Sequence, residues 1–157
     1  STYTNYRIVF NNILPAASNN TIYMAFRETS VSAIVNMHST VKWFGVNTGG
    51  ATVAHDSSNY NMGGTELFYT ATDDGGMNGY VDVFNPFLSG SADWTRTITD
   101  LNGYVVHSAA HARLYGAAQA TATTSTPCFK VWAGGSDPNI GDASIDGFVR
   151  VYGYKDS

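Results

Sequence analysis

A single cysteine, Cys128, stands in this chain of 157 residues, so no disulfide can close within it and the stapled scaffolds of small secreted domains are excluded. Assembly in a reducing cytoplasm fits that count. At this length a folded chain removes roughly 70% of its surface from water, enough for one core without staples, and we expect one domain over residues 1–157. Charge is scarce too: Asp, Glu, Lys and Arg make up 13% of the residues, where about 25% is usual. The eight basic residues against twelve acidic ones leave a net charge of −4 and no basic stripe, which argues against nucleic acid and anionic membrane as partners. No apolar run approaches the roughly 20 residues of a spanning helix, so no membrane insertion is expected. The opening Ser1-Thr2-Tyr3-Thr4-Asn5 lacks the charged start and apolar stretch of a leader, and the absence of an initial Met is what a fragment would show.

In place of charge the polar positions hold Thr, Ser, Asn and Gly, which keep outward strand faces wet without ion pairs and suit extracellular or virion β-proteins. Alternation with a period of two recurs along the chain. In Asn5 to Leu14, Tyr6, Ile8 and Phe10 alternate with Arg7, Val9 and Asn11 until Pro15 interrupts. In Thr21 to Glu28, Ile22, Met24 and Phe26 oppose Tyr23, Ala25 and Arg27. With Ser18-Asn19-Asn20 between them, these two segments read as a hairpin with a long loop. Val41 to Val46 and Glu66 to Thr70 are weaker strands around a Gly- and Asn-rich stretch, Asn47 to Gly64, expected to be loop.

Gly79 to Phe84 is a further strand, closed by Pro86. Trp94 to Leu101 is another, after which Asn102-Gly103 signals a tight hairpin with the next strand starting at Tyr104. Over His107 to Tyr115, alanine favours helix while the flanking glycines and the threonines that follow favour strand, and we read strand. Cys128 to Ala133 and Ser144 to Tyr154 complete the set. About eight short strands with Gly/Asn turns and no amphipathic helix predict an all-β fold, an antiparallel two-sheet sandwich of jelly-roll type. In the last strand Phe148, Tyr152 and Tyr154 face one way and Val149 and Val151 the other, so both faces are apolar. Coverage by a neighbouring copy, as in a homotrimer, would explain this, as would tyrosines lying flat on an exposed sheet.

Catalytic signatures are lacking: there is no G-x-S-x-G elbow and no H-E-x-x-H. Asp73, Asp74, Asp137 and Asp142 lie in turn contexts, which Asx turns account for. The same carboxylates are hard oxygen donors, so they are the candidates for calcium, although no EF-hand pattern is present and no cofactor is expected. A glycosidase pair among them would need carboxylates about 5 to 10 Å apart. His107 and His111 share a face and lack a third metal ligand; His38 and His55 are isolated. Sugar recognition needs an aromatic face for the pyranose ring beside polar groups for its hydroxyls. Trp94, which follows the Ser89-to-Asp93 loop, leads the candidates, with Asp93 beside it, then Tyr60 between two asparagines, then Trp43 and Trp132. Core packing is the competing reading for each tryptophan.

The opening Tyr3-to-Pro15 and closing Ile145-to-Tyr154 stretches, with Gly79-to-Pro86 in the middle, resemble strands of β-sandwich domains in bacteriophage tail-fibre, receptor-binding and related virion structural proteins. The likeness is a strand pattern over about a fifth of the chain and carries no catalytic motif. It implies a non-enzymatic viral protein at the virion surface, assembled in the host cytoplasm. Host attachment through cell-surface carbohydrate is the implied role, with other virion proteins and further copies of itself as partners. It also implies that this chain is the C-terminal fragment of a longer fibre protein. A purely structural virion protein, as a capsid decoration or fibre module, is the alternative, and a carbohydrate-binding module of a hydrolase is a third. The Ala/Thr-rich tract from Ser108 to Thr126 departs from the pattern.

Overall fold

The computed structural model describes residues 3–15, 20–29, 35, 37–45, 53–56, 69–70, 76–87, 94–105, 110–120, 125–133 and 145–155. Their regular structure is entirely β: β1 (Asn5–Pro15), β2 (Asn20–Arg27), β3 (Met37–Gly45), β4 (Val53–Asp56), β5 (Tyr69–Thr70), β6 (Met77–Phe84), β7 (Arg96–Val105), β8 (Ala110–Ala120), β9 (Cys128–Ala133) and β10 (Ile145–Tyr154). The alternating segments became strands because extended backbone sends successive side chains to opposite faces. Ile8 and Phe10 of β1 are buried while Arg7 and Asn11 are exposed. Among the described residues ten strands stand where about eight were expected; one of them, Val53–Asp56, pairs with β3 inside the stretch taken as loop. The Ala-rich piece is strand over 110–120, as read, while residues 107–109 lie outside the described ones.

Every pairing is antiparallel. One sheet has seven strands in the order β10-β1-β6-β7-β8-β3-β4, and a second has three in the order β5-β2-β9. Two expected hairpins are therefore corrected. β1 and β2 do not pair; β1 lies between β10 and β6 in the large sheet, and β2 between β5 and β9 in the small one. Asn102-Gly103 is no turn either: both residues continue β7 opposite Arg113 and Ala112 of β8, since an uninterrupted ten-residue ladder outweighs the local turn preference.

The core lies on one face of the large sheet. Ile8, Phe10 and Ile13 from β1, Val81 and Val83 from β6, Leu101 from β7, and Leu114 and Ala118 from β8 form one buried cluster with Met24 and Phe26 of β2. Phe129 and Val131 of β9 pack against it, so both sheets contribute. On β7 the face turned inward is the threonine face: Thr97 and Thr99 are buried, as is Thr95 just ahead of the strand, and the Thr95 and Thr126 hydroxyl oxygens are 2.6 Å apart.

The register of β1 slips between Phe10 and Leu14, where Asn12 takes a positive φ of 52°. The Asn12 amide donates to Asn78 Oδ1 at 2.9 Å, and Asn12 Oδ1 accepts from the Gly76 amide at 3.1 Å. Gly147 passes this bulge with φ +114°, and a Cβ there would fall 2.4 Å from the Asn12 carbonyl oxygen, so the bulge in β1 requires the glycine in β10.

Candidate functional site

Register assigns the opposite face of the large sheet directly, because residues paired across strands share a face. Ile8, Val81 and Thr99 face the core in one row; in the adjoining row Arg7, Asp82 and Ile98 face outward. The outer face therefore carries Arg7, Tyr80, Asp82, Arg96, Ile98, Asp100, Arg113, Tyr115 and Gln119, with Phe148 and Tyr152 on β10.

Two Arg–Asp pairs organise it. Arg7 donates through Nε to Asp82 Oδ1 and through Nη2 to Asp82 Oδ2, both at 2.7 Å, and its guanidinium carbon sits 4.1 Å from the centre of the Tyr80 ring. Arg113 repeats the arrangement: Nε to Asp100 Oδ1 at 3.0 Å, Nη2 to Asp100 Oδ2 at 2.9 Å, and the guanidinium 4.4 Å from the centre of Tyr115. These are the planar bidentate pairs that arginine alone provides, each with a cation–π contact. Hydrogen bonding to Asp82 and to Asp100 raises the pKa of the respective guanidinium above its ordinary value, burial opposing it. A raised folded-state value means that the stabilisation is complete below the unfolded pKa and is lost only as pH climbs through the folded one, in strong alkali. An outer face kept wet without ion pairs is thus corrected: its middle rows are held by two of them.

The same face carries a shallow depression lined by Phe84, Ile98 and Ala117, with Arg96 and Gln119 at its rim. Arg96 Nε donates to Gln119 Oε1 at 3.2 Å. Ile98 is 50% exposed although it sits on β7, the fourth and central of the seven strands, and Ala117 directly opposite is too small to cover it. The arrangement offers an apolar floor with a guanidinium and an amide at its rim, which is the combination a shallow hydroxyl-rich ligand requires. An apolar cavity of about 110 Å³ lies elsewhere, between the two sheets, lined by Tyr6, Ile8, Phe26, Phe129, Val151 and the free Cys128 among others. Its lining offers no acid–base pair.

The residues chosen from sequence are scattered. Trp94 is half-buried just ahead of β7, beside the buried Thr95. Trp43 is the register partner of the fully buried Leu114, and Trp132 of Tyr23; their side chains lie outside the described part. Tyr60, Asp93, Asp73, Asp74, Asp137, Asp142 and His107 lie outside the described residues. His111 pairs with Tyr104, His38 with Gln119 and His55 with Thr40, so these three stand on β8, β3 and β4. Among the described residues no three His, Cys, Asp or Glu side chains gather as a metal site, and no helix is long and apolar enough to cross a membrane. Asp82, Asp100, Ile98 and Gln119 went unnoticed in the sequence; the signal available for Ile98 was its place on the strand face opposite three threonines.

No family model, curated protein or solved structure matches this chain. The chemistry of the outer face has to speak for itself.

Proposed function

We propose that this chain is a non-enzymatic virion-surface domain of bacteriophage tail-fibre or receptor-binding type, attaching to host-surface carbohydrate through the outer face of its seven-stranded sheet. The observation that carries the reading is the depression over Ile98 and Ala117: an apolar floor open to solvent, rimmed by Arg96 and Gln119, on the same sheet face as the two Arg–Asp pairs. A pyranose presents an apolar ring face and a fringe of hydroxyls, and such a surface meets both. The strand-pattern resemblance supplies the virion setting, and self-association, with a homotrimer as the expected form, follows from the apolar residues on both faces of β10. In architecture we read an antiparallel two-sheet sandwich, supported by the core to which both sheets contribute. The division into seven and three strands favours an open sandwich over the eight-stranded jelly roll.

A glycan array probed with the intact oligomer tests the reading. Selective binding that is lost with Ile98→Asp supports it; no binding anywhere on the array supports a purely structural role, as a decoration or fibre module. A second reading, a carbohydrate-binding module of a hydrolase, is favoured by the exposed Phe148, Tyr152 and Tyr115 on one sheet face. It calls for a monomer, so gel filtration with light scattering separates it from the first.

A further inference from the structure

β10 ends the large sheet: among the described residues it pairs with β1 and with nothing on its other side. Ten residues at about 3.3 Å each give an edge of about 33 Å. It is apolar on both faces at once, with Phe148 65% and Tyr152 51% exposed on the outer face and Val149 41% and Val151 50% exposed on the inner one. The edge also lacks the usual obstacles to pairing: residues 145–154 contain neither lysine nor proline, and their only charges are Asp146 and Arg150. A ligand lying on one face of the sheet would cover only one of the two apolar rows. A strand laid alongside the edge, with its own side chains above and below, covers both.

We propose that the occupant is β10 of a second copy of this chain, paired antiparallel about Phe148; the inference rests on the self-association read above, names its surface and, because a two-fold seam closes on itself, makes the assembly a dimer in place of the homotrimer. Antiparallel two-fold pairing keeps the two outer faces on one side, so residue numbers across the seam must sum to an even value. Centring on Arg150 sets like charges opposite each other. Centring on Phe148 sets Asp146 of each copy against Arg150 of the other, two complementary pairs from one strand. Val151 also lines the cavity between the sheets, so the seam extends the apolar lining of that mouth.

Charge reversal tests this. Arg150→Asp puts carboxylates opposite Asp146 on both sides of the seam and should weaken association about tenfold or more, read by light scattering across a dilution series. The paired swap Asp146→Arg with Arg150→Asp restores the complementary pairs and should recover the wild-type assembly. Thermal melting of each variant confirms that the fold is kept. An oligomer indifferent to Arg150→Asp, or one that the swap fails to rescue, overturns the β10 seam and leaves self-association standing. A wild-type monomer at every concentration overturns both.

Discussion

Leu101 and Ile98 belong to one strand and differ little in chemistry, yet Leu101 is 0% exposed and Ile98 50%. Truncating each to alanine measures what the two faces of the sheet do. Leu101 sits between Gly79 of β6 and Leu114 of β8. Gly79 has no side chain to move into a hole, and Leu114 is itself fully buried, so the space left by Leu101→Ala should stay open. Buried Leu→Ala changes cost about 2–5 kcal/mol, and a site unable to collapse belongs in the upper half, about 3–5 kcal/mol. At about 2–4 °C per kcal/mol for a chain of this size, the melting temperature should fall by roughly 6–20 °C. Ile98→Ala removes side-chain atoms already half in water and should cost about 1 kcal/mol or less. Urea unfolding followed by far-ultraviolet circular dichroism, with an unchanged slope, gives both values on one scale. Equal losses for the two variants, or a loss below about 1 kcal/mol for Leu101→Ala, would refute the assignment of inner and outer faces.

Three further changes follow from single contacts. Thr99 is buried and its hydroxyl has no hydrogen-bond partner among the described residues, so the near-isosteric Thr99→Val should raise stability by about 1 kcal/mol in the same unfolding assay. Gly79 holds φ at +134° with the Asp100 carbonyl oxygen 2.2 Å from where a Cβ would stand, so Gly79→Ala should cost about 2 kcal/mol or more; a neutral outcome would mean that β6 and β7 are less close than described. Asp82→Ala strips the partner from Arg7, a pair partly open to solvent, and should cost about 1 kcal/mol, a deficit that shrinks in high salt.

What could be read before the structure was the alternation and little of the pairing. The segments around Ile8, Val81 and Val151 show their two faces locally, because a period of two needs only the residues themselves. Which strand adjoins which is a long-range matter: β1 and β2 follow each other in sequence and part into different sheets, while β1 and β10, at opposite ends of the chain, are neighbours. Asn102-Gly103 carries a turn signature and lies inside a strand because the residues of β8 opposite them extend the ladder past it. The site was hidden for the same reason. Arg7 and Asp82 are 75 residues apart and meet only through the β1–β6 register. Sequence reasoning looks for acids in turns and aromatics in loops, whereas here the acids that organise the face stand mid-strand.

The measurement that bears most directly on the proposed recognition face compares two variants against the tightest-binding glycan found on the array. Isothermal titration should show that Ile98→Asp abolishes binding while its melting temperature stays close to wild type, and that Trp94→Ala binds as the wild type does. Loss of binding with Trp94→Ala and full retention with Ile98→Asp would contradict the account and return recognition to the loop aromatics.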